Sequence, residues 1–495
     1  VRYLVPIFFL AAFALTPVVR ADIVWSSGTN TVPADTTQAD SHIVITGGTN
    51  TVLGTLGPPA GANGGTLQLN LGGAGLEITG ATLTLNSDDS SPGRLLVQGH
   101  VSTFAASTTA LIATAGAGAN AGVVDLGFGT QLFTIAPGNV PSSGPDLSIT
   151  ANVSSGGIEK NGGGIIALSG ANTYTGGTLL DAGTFYINGA TAIGSSFFTI
   201  NGPNTTIDNT SGGPITLTNN NQFNLTAGDF NFTGTNDLNL GTGIFVMTNA
   251  DRTVNVVNSS ATLTIGGRIQ DAGQSRGLTK TGTGTLVLGG NSLYTGPTNF
   301  NAGAVVLNGS LGNTTVAVGA NGALINNGVL NNNVSVSGVL TGTGTIHGSL
   351  VINNGGQVNV SGGTLTVDGA ITNNGLFVLR QGAQVGGLTG FVNNGTVDLT
   401  TAGAFNPPNF TNNGTIIDSS VVKAKTAARA GSTFTITIDS YTGHTYQLQK
   451  STTTPAGANF SGVGAAKQGS TGTVLTFTDS TATGTASFYR IVVDP

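Results

Sequence analysis

Hydrolytic or lyase chemistry on a repetitive β scaffold requires carboxylates gathered on one face with a basic group nearby, so that one acid protonates a leaving group while another activates water or a nucleophile. The chain has 21 acidic and 15 basic residues among 495. No acid occurs between Asp271 and Asp368, and apart from Asp88-Asp89 the others are scattered singly. An acid pair in a Ser-rich turn reads as a solvated loop. His42, His100, His347 and His444 are far apart, and cysteine is absent, so the sequence offers no zinc spacing, thiol nucleophile or disulfide. Gly282-Thr283-Gly284 resembles a fragment of a dinucleotide-binding loop, but it lies in a strand repeat without a following helix. Calcium-binding nonapeptides would repeat an Asp at a fixed position, and no such recurrence is present. The expectation is a chain without catalytic, metal or cofactor site. The competing reading is a polysaccharide-degrading β-helix enzyme, which a carboxylate cluster on one face would reveal.

The elements that carry these residues follow from composition. Seventy-nine glycines, 7% charged and 38% hydrophobic residues favour a folded chain over a solvated disordered one. Thr, Val, Ile, Asn and Gly dominate while helix formers are scarce, which favours strands joined by tight turns. Glycine follows no three-residue period, which sets collagen aside. A net charge of −6 spread over the surface provides no basic face for nucleic acid.

Gly28-Thr29-Asn30-Thr31-Val32 returns as Gly48-Thr49-Asn50-Thr51-Val52, and Asn-Asn-Gly recurs with its glycine at Gly328, Gly355, Gly375, Gly395 and Gly414. A period near 20 residues suits one coil of a parallel β-helix, stacked about 4.8 Å above the last. About 20 such coils over residues 22–420 would make a rod on the order of 100 Å long. Asn-Gly is expected to supply a positive-φ corner, Asn side chains to stack as ladders, and Val, Leu, Ile and Phe to line the interior. Residues 55–150 are the least periodic. Antiparallel hairpins remain the alternative use of Asn-Gly turns.

A longer repeat overlies the short one. Residues 158–189 and 278–309 share 13 of 32 positions, among them Lys160, Gly162, Gly164, Leu168, Gly170, Tyr174, Gly176, Thr178 and Gly183 with their partners Lys280, Gly282, Gly284, Leu288, Gly290, Tyr294, Gly296, Thr298 and Gly303. Asn172 is displaced in the second copy, to Asn291. The two lysines are read as turn residues rather than ligands. The pattern resembles the autotransporter-associated β-strand repeat of bacterial passenger regions. That resemblance implies a β-solenoid passenger and a secreted or cell-surface location.

At the N-terminus, Arg2, an apolar run from Leu4 to Leu15, and Val19-Arg20-Ala21 before Asp22 have the layout of a signal peptide cleaved between Ala21 and Asp22. The run is shorter than the roughly 20 residues that span a bilayer, and no later stretch is apolar enough to cross as a helix, so no transmembrane segment is expected in the mature chain. The 75 residues after position 420 are too few for a membrane translocator barrel. They alternate strictly, as in Phe434-Thr435-Ile436-Thr437-Ile438, which predicts a small antiparallel β-sandwich at 421–495 with Tyr446 and Phe488-Tyr489-Arg490-Ile491 in its core and rim. It is similar to a module that ends many exported repeat proteins, a cap or attachment domain.

The sequence thus reads as all-β: a signal peptide at 1–21, an elongated parallel β-solenoid at 22–420 and a small antiparallel β-sandwich. The expected function is structural or adhesin-like, with polysaccharide, matrix or cell-surface components as partners. A passive surface-layer or stalk role is the other reading.

Overall fold

The structure, a computed structural model, describes residues 23–33, 37–40, 42–52, 66–69, 75–86, 92–115, 121–400, 402, 405–418, 424–441, 444–452, 459–470, 472–482 and 487–494. Ala21, Asp22 and Asp88-Asp89 lie outside the described residues. The chain forms two compact units, Val1–Phe198 and Thr199–Pro495.

The first unit is a parallel β-solenoid of seven coils. One sheet runs from Ile23–Trp25 to Thr178–Leu180 and a second from Thr29–Val32 to Thr184–Ile187. Five coils add a third side, with strands Thr37–Asp40, Thr66–Leu69, Arg94–Leu96, Val123–Asp125 and Asn152–Ser154. Strict alternation forms these strands: in His42–Ile45 only Ile43 and Ile45 point inward. Parallel register stacks like on like, so one interior column reads Ile43, Leu76, Val101, Phe133. Each such side chain gains about 1.5–3 kcal/mol on burial.

The coil length is less uniform than the 20-residue period suggests. Ile23 pairs with Ile43, but Ile43 pairs with Leu76 and Ile112 with Ile149. Stacking fixes the strand positions and leaves the corners free to hold extra residues, which is why residues 55–150 look aperiodic.

The second unit continues the same logic through eleven parallel coils, from Thr205–Asp208 to Phe410–Asn412. Here asparagines stack as ladders. Asn373 donates to Asn393 at 2.8 Å and Asn393 to Asn412 at 2.7 Å, while Asn394 donates to Asn374 and Asn413 to Asn394 on the outside. The glycine after each pair corrects the sequence reading. Of the five Asn-Asn-Gly glycines only Gly355 has a positive φ. At Gly328, Gly375, Gly395 and Gly414 a Cβ would instead sit 1.8–2.3 Å from a carbonyl oxygen of the coil beneath. Those glycines serve close approach of backbones, not handedness.

Two small antiparallel sheets end this unit. Thr433–Ser440 lies between Ala424–Ala430 and Thr473–Asp479, and Thr445–Ser451 pairs with Phe488–Asp494. Ile436, Ile438 and Phe477 from one sheet pack against Tyr446 and Leu448 from the other. The side chain of His444 in this sandwich meets Asp398 of the solenoid at 2.9 Å, both buried.

Candidate functional site

The two long repeats hold the polar residues that the sequence singles out, and each spans two stacked coils. In the first, Gly157–Asn161 and Ile165–Leu168 underlie Thr178–Leu180 and Thr184–Ile187. In the second, Leu278–Thr281 and Thr285–Leu288 underlie the two halves of Thr298–Leu307.

The lysines are not turn residues. Lys160 stands between Phe133 and Leu180 in the interior column, and Lys280 between Val254 and Phe300. Both are fully buried. Each Nζ reaches the neighbouring corner and donates three hydrogen bonds. Lys160 donates to the carbonyls of Asn161 (3.0 Å), Gly162 (2.7 Å) and, one coil on, Ala182 (2.9 Å). Lys280 donates to Thr281 (2.7 Å), Gly282 (2.9 Å) and Ala302 (3.0 Å). Burial pushes the amines down, to about 7 at Lys160 and about 8 at Lys280, with Asp146 opposing the shift at the former. Each ammonium joins two corners, and charge-assisted bonds offset part of its desolvation, the remainder showing in the lowered pKa. The alternation Ile158-Glu159-Lys160 placed this lysine on the inward parity, and that was the signal available in the sequence.

The tyrosines plug the interior on the side where these coils carry no full strand. Tyr174 and Tyr294 are fully buried, and their hydroxyls meet Thr178 Oγ1 at 2.5 Å and Thr298 Oγ1 at 2.7 Å. Burial raises both phenols well above the ordinary tyrosine value. Leu168 and Leu288 are interior residues.

The repeat glycines are contact points between backbones. A Cβ at Gly183 would lie 2.5 Å from Gly164 O, and one at Gly303 2.5 Å from Gly282 O; both glycines also have positive φ. Gly162, Gly164, Gly170 and Gly176, like Gly282, Gly284, Gly290 and Gly296, would each drive a Cβ to 2.1–2.7 Å from backbone of the preceding coil.

One substitution between the copies has a structural translation. Asn172 accepts from Val153 N at 2.8 Å and donates to Ala192 O at 2.7 Å, linking three successive levels. Its positional partner is Ser292, whose hydroxyl accepts from Ile269 N at 3.2 Å. The displaced Asn291 is exposed and accepts from Ser310.

Acidic side chains outside the repeats mostly hold backbone. Asp146 accepts from Gly138 N and Ile165 N, Asp208 from Asn209 N, Gly234 N and Thr235 N, and Asp271 from Gly273 N, Arg276 N and Thr295 N. Among the described residues no group of three His, Asp or Glu side chains is placed to hold a metal ion. One carboxyl pair escaped the sequence reading. Glu159 faces outward on its strand, and its pKa is raised by partial burial and by the adjacent Asp181 carboxylate of the next coil. The second copy has Thr279 and Asn301 at those positions. Such a pair can share a proton.

The first unit also has an open groove of about 610 Å³ beside Phe128, walled by Arg94 and Asp125. The Arg94 guanidinium is paired with the Asp125 carboxylate, and the Phe128 ring is 97% exposed. This groove leaves no trace in sequence, because its residues come from coils of unequal length.

The Passenger-associated-transport-repeat family model matches residues 158–187 and 278–307, which are the two-coil units just described. The repeat is a structural one of the kind found in autotransporter passengers, and it implies an exported or surface protein. A search of curated proteins finds no match. Among the described residues no helix is long and apolar enough to cross a membrane.

Proposed function

We propose that this chain is an exported, non-catalytic scaffold that displays its solenoid faces at or beyond the cell surface, for attachment to glycans, matrix or cells. One observation carries the reading. Among the polar side chains shared by both repeats, Lys160 and Lys280, Tyr174 and Tyr294, and Thr178 and Thr298 are fully buried and bonded to one another or to backbone, while Thr175 and Thr295 are exposed. Identity at the buried positions therefore serves coil stacking, and contact with the outside falls to outward residues such as Glu159 and Asp181, which are Thr279 and Asn301 in the second copy.

Cell fractionation with protease shaving of intact cells tests the location. Fragments from residues 199–400 released from intact cells are the expected result, and a chain protected until lysis overturns it. The rival reading as a polysaccharide-degrading enzyme rests on Glu159 and Asp181. Purified chain incubated with soluble polysaccharides is expected to release no reducing ends or unsaturated products, and turnover lost in Glu159→Gln would establish the rival.

A further inference from the structure

We propose that the groove beside Phe128 is a binding site for an uncharged polysaccharide strand laid across successive coils of the first unit. The proposal rests on the reading of the chain as a glycan-contacting surface protein, and it names the site and the ligand class.

The groove presents an aromatic ring held out on a rigid corner. Phe128 is 97% exposed, which forgoes about 2 kcal/mol of burial. The corner itself is tightly tied. Gly127 N donates to Asp125 Oδ1 at 2.8 Å, and the buried Gln131 amide donates to Leu126 O at 2.9 Å and Phe128 O at 3.2 Å. Gly127 and Gly129, on either side, both have positive φ. A ring held this way loses little conformational freedom on binding.

Beyond Phe128 the corner narrows to glycines flanked by Ser155 and Thr175. Gly156 stacks on Gly129 and Gly176 on Gly156, each too close for a Cβ. On the following coil the Phe197 ring, 42% exposed, rests against Gly177. Two aromatic rings therefore stand three coil steps apart, about 14 Å at the spacing of parallel strands, with Gly156 and Gly176 between them flanked by the small hydroxyl side chains of Ser155 and Thr175. A short run of pyranose rings covers that span. The apolar C–H faces of sugars pack on aromatic rings, while their hydroxyls need hydrogen-bond partners at the edges.

Those partners line the wall. Arg94 is 42% exposed and paired with Asp125, so the wall offers donors and acceptors with no net charge, which suits an uncharged glycan over a uronate. The fold does not demand the aromatics. At the matching corner of the second unit, the coil-to-coil bonds run from Gly277 N to Asp251, Leu278 N to Pro297 O and Thr298 N to Thr315 O, and no aromatic stands on that column.

The test is affinity electrophoresis of the full chain through gels containing a β-1,4-glucan, an α-1,4-glucan, a mannan, a galactan or a polyuronate. At least one neutral polymer is expected to retard the chain, with Phe128→Ala weakening retardation by at least about tenfold and Phe104→Ala, an exposed ring on another corner, leaving it unchanged. Hydrogen exchange in the presence of the retarding polymer should be slowed at residues 127–130 and 175–177, and circular dichroism should be the same for parent and variants. Retardation that survives Phe128→Ala with unprotected corners overturns this site and leaves the glycan reading standing. Retardation by polyuronate alone overturns the ligand class. Absence of retardation by every polymer overturns both.

Discussion

The two long repeats are the same device built twice, and the residues that differ between them are as informative as those that match. Lys160 and Lys280 each bond three carbonyls across two coils, and Tyr174 and Tyr294 each meet the threonine four residues on. Gly183 and Gly303 sit on equivalent corners with the same positive φ. Where the copies diverge, at Glu159 against Thr279, Asp181 against Asn301 and Gly177 against Pro297, the difference lies on the outer face or at a corner. The buried matching residues hold coils together, and most of what each region presents is set by outward residues that diverge, with the buried Asn172 and Ser292 as a divergent pair that still bridges coils.

If that division is right, the largest damage comes from the tyrosines, and it is equal in both copies. Tyr174→Ala and Tyr294→Ala are each expected to cost about 3–5 kcal/mol by emptying an interior site, while Tyr→Phe, which loses only the bond to threonine, costs about 1 kcal/mol. Hydrogen exchange resolved along the chain is the suitable measurement, because a solenoid opens locally. Damage in one copy only would break the equivalence.

The lysines come next. Lys160→Met and Lys280→Met keep the volume but remove the donor shared by three partly buried carbonyls, for an expected loss of about 1–2 kcal/mol each. They also predict a pH effect. Both amines lie below the ordinary lysine value in the folded chain, so the unfolded chain binds more protons between those lowered values and the ordinary one. Stability should therefore rise as pH increases from about 8 to about 10, and the double methionine variant should flatten that slope in denaturant titrations. A falling slope in the parent would show that the carbonyl cage outweighs burial.

Asn172 and Ser292 carry an effect of the same kind, smaller in the second copy. Asn172→Ala removes one accepted and one donated bond, about 2 kcal/mol, whereas Ser292→Ala removes one acceptor, about 1 kcal/mol. Ser292→Asn is expected to restore the second bond and slow exchange in the coil above, and no slowing there would mean the two positions are not interchangeable.

Much of the fold was legible because stacking leaves a trace in sequence. Period-two alternation marked the strands, recurring Asn-Asn-Gly marked the ladders, and the strict pattern Phe434-Thr435-Ile436-Thr437-Ile438 marked the terminal sheets. The misreadings have one physical origin. Lysine is almost never fully buried, so composition alone sends Lys160 to a turn, although its parity places it with Ile158 inside. Glycine after asparagine suggests a left-handed corner, yet at Gly375 and Gly395 the constraint comes from a neighbouring coil about 20 residues away. The groove at Phe128 was invisible for the same reason: Arg94 reaches the Asp125–Phe128 corner only through coil register.

The smallest effect concerns the carboxyl pair that only the first copy has. Glu159 and Asp181 are diagonal neighbours across adjacent coils, and the pKa of Glu159 is raised by partial burial and by that neighbour. The folded chain thus holds the Glu159 proton more tightly than the unfolded chain does. Its contribution is fully present below the unfolded glutamate value and is lost as pH rises through the folded one. Asp181→Asn removes the like charge, so it should stabilise the first repeat at neutral pH by less than about 1 kcal/mol and leave acid stability unchanged. Asn301→Asp in the second repeat, where Thr279 stands in place of Glu159, should shift stability at neither pH, because no carboxylate is there to oppose it. Equal responses in the two copies would mean that outward divergence has no electrostatic consequence, and the division between stacking residues and displayed residues would lose its charge-based support.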